Sequence, residues 1–132
     1  MFDPVQAGKV VKTGPPHLTS TTFVYVWSFE VKAGQEGWFE NAYGTDGDWV
    51  RLFRLGEGYL STELLKDWNR PGHYWTIDKW VDESSYEAFR KAFASEFKQL
   101  DRSCEQLTES EFFLGRFAGL QAQTRSDREA GH

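Results

Sequence analysis

Between Tyr74 and Leu107 the chain changes its periodicity once, and that change restricts the folds open to it. Tyr74-Trp75-Thr76-Ile77-Asp78-Lys79-Trp80 carries large rings at both parities of a period-two segment, the pattern of a strand covered on both faces. Within four residues the spacing becomes that of an amphipathic helix, with Tyr86, Phe89, Phe93, Phe97, Leu100, Cys104 and Leu107 along one side. So wide an apolar side needs a sheet beneath it. With helices over one face of that sheet and a second subunit over the other, an aromatic-lined hollow is expected between sheet and helices. Such a place takes a small planar organic molecule.

The rest of the chain supplies the partners of this unit. Phe23 to Val31 has rings at every second position with β-branched residues between them and is the clearest strand. After Lys32-Ala33-Gly34 the spacing turns helical, placing Trp38, Phe39, Ala42 and Tyr43 on one side and then Trp49, Leu52 and Phe53. Gly44-Thr45-Asp46-Gly47-Asp48 interrupts the stripe, so a broken helix is expected, its second piece capped near Asp46 or Asp48. Tyr59 to Lys66 reads as a second strand, and Asn69-Arg70-Pro71-Gly72 as the turn into the third. If that turn pairs Arg70 with His73, Glu63 lies opposite Trp80 and Leu65 opposite Asp78; a one-residue slip reverses which side chains share a face. Ser84 and Glu87 have capping-box spacing, with Asp82 as a competing cap, for a helix reaching Thr108. Glu109 to Phe117 closes the domain as a fourth strand.

The order strand, helix, strand, strand, helix, strand, with right-handed crossovers, gives an α+β fold of the ferredoxin-like type: a four-stranded antiparallel sheet with both helices on one face. The uncovered face is rich in rings, and pairing with a second copy as a homodimer removes it from water. Residues 1–21, with three of the four prolines, read as a flexible N-terminal arm, 22–117 as the folded domain and 118–132 as a flexible C-terminal tail.

Charge and cysteine usage exclude several classes. Twenty acidic against 15 basic residues give a net charge of −5 with no basic stripe, which speaks against nucleic acid and against an anionic membrane surface. No window approaches a membrane span. The single cysteine, Cys104, sits in the helical apolar series as a small core residue, and the chain reads as reduced, soluble and cytoplasmic. One histidine inside the folded unit and no clustered cysteine leave too few ligands for a conventional zinc site. No Ser-His-Asp order and no phosphate-cradling glycine loop is present.

Asp78 lies between Ile77 and Lys79 in an otherwise apolar strand. A carboxylate in a ring-lined pocket has its pKa raised and can act as a general base near neutral pH; the competing reading is an ion pair with Lys79, Arg116 or an arginine across the dimer. His73 is the other candidate proton carrier, although it follows a turn glycine, where exposure is the ordinary outcome. Tyr25, Trp27, Tyr74, Trp80 and Phe93 are the expected substrate-binding walls, with Trp49, Trp38, Leu52 and Phe53 covering the other end.

Four segments, YVWSFEVKAG (Tyr25 to Gly34), GDWVRLF (Gly47 to Phe53), TIDKW (Thr76 to Trp80) with the helix start at Ser85-Tyr86-Glu87-Ala88-Phe89, and LTESEFFLGRF (Leu107 to Phe117), together resemble the antibiotic biosynthesis monooxygenase-like proteins. The resemblance implies a dimeric α/β barrel and oxidation of phenolic or anthrone-type aromatics by molecular oxygen without metal, haem or flavin. In such chemistry the substrate supplies the electrons once deprotonated, and the protein supplies a base, a dry pocket and donors for the anion. A haem-degrading branch of the fold uses an Asn on the first strand and a Trp and a His on the second helix. This chain has no such Asn or His, and Phe89 stands near the Trp position. The alternative to an oxygenase is a non-catalytic small-molecule-binding or dimerisation module of the same fold.

Overall fold

The structure, a computed structural model, describes residues 18–122; most of the expected arm and tail lie outside the described residues. The elements are β1 (Leu18–Val31), α1 (Glu36–Tyr43), α2 (Asp48–Phe53), β2 (Tyr59–Lys66), β3 (His73–Trp80), α3 (Glu83–Ala92), α4 (Ala94–Cys104), a short 3-10 turn at Glu105–Leu107, and β4 (Thr108–Ala122). The strands form one sheet in the order β2-β3-β1-β4, with β1 and β2 both antiparallel to β3. This is the expected ferredoxin-like arrangement, and the central pair is β1 and β3. Residues 21–119 form the main unit; a second unit contains, among the described residues, the strand ends 18–20 and 120–122.

The parity of β1 and β3 decides which side chains meet the helices. Tyr25, Phe29 and Val31 of β1, and Tyr74, Thr76, Asp78 and Trp80 of β3, are buried on the helix side. Phe39 of α1 meets Phe29 and Tyr74 with ring centroids 5.2 and 4.8 Å away and stacks on Tyr43 at 4.2 Å. Trp80, with no exposed surface, is enclosed by Phe53, Tyr59, Tyr86 and Phe89 at 5.1 to 6.0 Å. These are tilted and edge-on contacts, the geometry aromatic quadrupoles favour. The core is therefore a continuous ring cluster laid on one face of the sheet.

Five local readings are corrected by the structure. The second helix is two helices, α3 and α4, separated at Phe93, whose φ of −117° and ψ of 32° are not helical. Neither Gly nor Pro marks the joint; Phe93 N still donates to Phe89 O, and Phe97 N to Phe93 O, so the chain bends without losing those bonds. Asp82, not Ser84, caps α3, accepting the Ser85 amide at 2.8 Å. Neither Asp46 nor Asp48 caps α2: its cap residue is Gly47, while Asp46 and Asp48 take up Arg54 and Arg51. Trp38 is 68% exposed, because it lies about 100° around α1 from Phe39. Finally, β1 and β4 are longer than the strands expected at 23–31 and 109–117. Polar but β-branched Thr21 and Thr22 extend β1, and Thr21 Oγ1 donates to Gly119 O at 3.2 Å.

The hairpin register also differs. The Arg70–His73 turn forms, with His73 N bonded to Arg70 O at 3.2 Å, but it sits inside a longer loop closed by Asp67 N to His73 O at 2.8 Å. Asp67 holds that loop by accepting the Asn69 amide and the Arg70 side chain. Lys66 therefore faces Tyr74, Leu65 faces Trp75 and Thr62 faces Asp78, in place of Leu65 against Asp78 and Glu63 against Trp80. Between Tyr59 and Ser61 the register shifts again, a bulge at Leu60.

Phe39→Ala removes a ring at the centre of this cluster and is expected to lower unfolding free energy by about 3–5 kcal/mol, read from urea midpoints at unchanged slope. A loss under about 1 kcal/mol would show that the ring cluster is not the core.

Candidate functional site

A cavity of about 280 Å3 lies between the sheet and the helices. Its floor is Tyr25, Trp27 and Phe29 of β1, with Thr76 and Asp78 of β3 and Thr62 of β2. Tyr43, Trp49 and Phe53 of α1 and α2 wall one end, while Tyr86 and Arg90 of α3 and Phe97 and Asp101 of α4 form the other side. Arg90 and Asp101 are exposed and mark the rim. The Arg90 guanidinium lies 3.8 Å from the Phe97 ring centroid and donates to the Tyr86 hydroxyl at 3.1 Å, which keeps a cation beside the cavity by cation–π attraction.

Asp78 is on the floor and only 4% exposed. Its cross-strand partners are Tyr25 on β1 and Thr62 on β2. No ion pair reaches it among the described residues: Lys79 faces Glu63 at 4.0 Å and Arg116 bonds Glu83 at 2.9 Å. The competing reading of Asp78 as half of an ion pair with either is thus not realised. Among the described residues its carboxylate accepts from Thr62 Oγ1, 2.5 Å from Oδ1, and the Tyr59 hydroxyl is in turn 2.7 Å from Thr62 Oγ1. Burial pushes the Asp78 carboxyl up to about 7, the Thr62 bond opposing it. Burial, with the Asp78 charge adding to it, likewise holds the Tyr25 phenol well above its usual range, so Tyr25 stays a neutral donor.

Three buried donors among the described residues lack a hydrogen-bond partner: the Tyr25 hydroxyl, Trp49 Nε1 and Trp80 Nε1. Tyr25 and Trp49 line the cavity. An unpaired buried donor costs about 1–3 kcal/mol, so a guest with matching acceptors gains at these positions. The cavity thus combines a carboxylate without an ion-pair partner among the described residues, unpaired neutral donors and flat ring walls.

Of the expected site residues, the structure brings Asp78, Tyr25, Trp27 and Trp49 together around this cavity. Tyr74 and Trp80 are buried beside it as packing: the Tyr74 hydroxyl is taken by Glu40, and Trp80 lies within the ring cluster. Phe93 lines a separate groove with Leu55, Gly56 and Phe89. His73 is at the far end of β3, its Nδ1 3.2 Å from Pro71 O and its Nε2 4.0 Å from Glu30; it is not part of the cavity. Sequence reasoning missed Thr62, Thr76, Arg90 and Asp101 as lining, and with them the rings of Phe29, Tyr43, Tyr86 and Phe97. Thr62 and Thr76 share the parity of Leu64 and Asp78 and could have been found once the register was known; Arg90 and Asp101 carry no signal distinguishing them from a solvated helix face.

Among the described residues no three His, Cys, Asp or Glu side chains cluster as a metal site, and no helix is long and apolar enough to cross a membrane. A model of the antibiotic biosynthesis monooxygenase family matches residues 22–102. Among solved structures, SnoaB, a cofactor-independent oxygenase from Streptomyces nogalater, is 20% identical, with 79% of this chain and 98% of that one covered at a TM-score of 0.62. PA3566 from Pseudomonas aeruginosa is 19% identical over 77% and 97% of the two chains at a TM-score of 0.60. SO0527 from Shewanella oneidensis is 21% identical over 82% and 100% at 0.56. No curated protein matches significantly in sequence.

The raised Asp78 pKa has a stability consequence. Between about pH 4 and pH 7 the folded protein keeps a proton on Asp78 that the unfolded chain has released. Stability therefore falls as pH rises through that window and is level above it. Asp78→Asn is expected to remove this slope and to be more stable than the parent at pH 8 by on the order of 2–4 kcal/mol, the difference shrinking towards pH 4. Urea unfolding at pH 4.5, 6 and 8 measures it; parallel pH curves for the two proteins are the contrary result.

Proposed function

Because the chain belongs to the antibiotic biosynthesis monooxygenase family, we propose that it oxidises a small phenolic or polycyclic aromatic molecule with molecular oxygen, without a cofactor, in the cavity over Asp78. The observation that supports this reading is the convergence of a base and unpaired neutral donors on one ring-lined space. A binding module needs only the rings. SnoaB, a cofactor-independent oxygenase of the same fold, supports the reaction class.

The steps follow from the residues. The substrate slides between the aromatic walls with its acidic C–H or O–H towards Asp78, whose carboxylate takes the proton. The Tyr25 hydroxyl and Trp49 Nε1 donate to the oxygen on which the negative charge gathers, in a site poor in water. The resulting electron-rich anion passes one electron to O2, and the radical pair combines to a substrate peroxide. Loss of the second hydrogen from the same carbon with cleavage of the O–O bond, as Asp78 returns its proton to the departing oxygen, leaves a ring carbonyl and one water and restores the carboxylate. Overall, a ring CH2 and O2 become C=O and H2O, with both electron pairs drawn from the substrate. At about 280 Å3 the cavity is at the small end of the range of about 300–1,000 Å3 for ligand pockets, which favours a guest of two or three fused rings.

The far face of the sheet supports a second part of the reading, a homodimer. Leu65 and Trp75 are cross-strand partners there and both nearly half exposed. Phe113 of β4 meets Trp27 on the helix side, so by alternation its exposed neighbours Phe112 and Leu114 join the far face. A second copy covering this face would close the apolar patch.

Oxygen uptake with an anthrone should be catalysed by the protein and fall by about 100-fold or more in Asp78→Asn. Binding of the aromatic with no oxygen consumed would leave a binding module, and an undiminished rate in Asp78→Asn would remove the base. In sedimentation the protein should run as a dimer and Trp75→Glu as a monomer; a monomeric parent refutes the pairing.

A further inference from the structure

The bulge at Leu60 gives β2 a parity that a regular strand does not allow. Tyr59 and Thr62 are three residues apart and in an unbroken strand point to opposite faces. With Tyr59 opposite Trp80 and Ser61 already opposite Lys79, the extra residue returns both to the helix side. Tyr59 packs its ring on Phe53 and Trp80 at 5.6 and 5.3 Å and brings its hydroxyl to 2.7 Å from Thr62 Oγ1, which lies 2.5 Å from Asp78 Oδ1.

We propose that Tyr59 and Thr62 are positioning residues for Asp78: the Tyr59 hydroxyl donates to Thr62, which obliges the single Thr62 proton to point at Asp78 Oδ1 and leaves Oδ2 as the basic atom offered to the cavity. This rests on the reading of Asp78 as the base. A threonine hydroxyl has one proton and accepts as well as donates. Facing an ionised carboxylate it donates, and the tyrosine beside it then has only the opposite direction left. Oδ2 makes no hydrogen bond among the described residues, so it is the oxygen free to receive the substrate proton. Thr62 keeps its own proton throughout; it orients the base and holds its anionic form.

The other groups around Asp78 leave this role to Thr62. Tyr25 faces it from β1 as a neutral phenol without a hydrogen bond, and Tyr86 of α3 lies against Tyr25, its hydroxyl accepting from Arg90. Arg90 and Asp101 are at the rim, and neither bonds the carboxylate. Among the described residues, Thr62 is thus the donor hydrogen-bonded to the Asp78 carboxylate.

The test is titration of Asp78 in the substrate-free protein, followed by carbon-13 NMR of labelled aspartate carboxyls, in the parent, Thr62→Val, Thr62→Ser and Tyr59→Phe. Thr62→Val should raise the Asp78 midpoint by about one pH unit, Thr62→Ser should hold it near the parent, and Tyr59→Phe should raise it by less than Thr62→Val. In the oxygen-uptake assay the acidic limb of the Thr62→Val pH profile should move to higher pH in step. Turnover at pH 7 should then be about fivefold lower and recover at higher pH, which a merely loosened fold does not do. A midpoint unmoved in Thr62→Val or in Tyr59→Phe overturns the chain. Because the titration uses no substrate, shifted midpoints without oxygen uptake uphold the chain and defeat the oxygenase reading. Oxygen uptake with unmoved midpoints does the reverse.

Discussion

A carboxylate enclosed by rings, answered by one hydroxyl, is the constraint around which this molecule is arranged. Removing Asp78 from water without a cationic partner disfavours its charge, and the fold tolerates this because the alternation of β3 carries Asp78 into the core with Tyr74, Thr76 and Trp80. The same alternation on β1 sets the Tyr25 phenol opposite it. Neutral phenol and near-neutral carboxyl are thereby held side by side, one able to give a hydrogen bond and the other able to take a proton. Packing of the surrounding rings leaves space at that point rather than filling it, so two of the unsatisfied donors, those of Tyr25 and Trp49, border the same void as the carboxylate.

How much of this could be read beforehand depended on the range of the interaction concerned. Strand identity came through because of the alternation in Phe23–Val31 and the density of rings in Tyr74–Trp80, but rings at both parities of the latter left open which face meets the helices. Asp78 was legible because a carboxylate in phase with Tyr74 and Trp80 cannot reach solvent without taking the rings with it. The pairing of β2 with β3 was not, since the Asp67 side chain lengthens the loop beyond its proline-glycine turn and Leu60 adds a residue on one strand only. Both are choices made by local hydrogen bonds, which periodicity does not record. Trp38 shows the converse limit: its neighbour Phe39 is fully buried, and one step around a short helix puts the larger ring in solvent.

The residues around the cavity divide by source. Asp78, Tyr25, Thr62 and Thr76 come from strands, where hydrogen-bonded ladders fix their spacing to within a fraction of an ångström, and rigid elements of this kind suit groups that must meet a reacting atom. Arg90, Phe97 and Asp101 come from α3 and α4, which rest on the sheet through side chains alone. His73 illustrates why residue type is a poor guide by itself. It is the most obvious acid–base group in the described chain, yet it stands at the strand end beside Pro71 and Glu30, away from the cavity.

The joint at Phe93 gives this division a further meaning. Tyr86 and Arg90 precede it and Phe97 and Asp101 follow it, so the angle between α3 and α4 sets the ceiling height over a floor that does not change. Substitutions near the joint can widen or lower that ceiling without disturbing the ladder that holds Asp78. On the proposed reading of Asp78 as the base, a lineage built on this plan changes guests by re-hinging its roof and keeps the reacting carboxylate on the beams below.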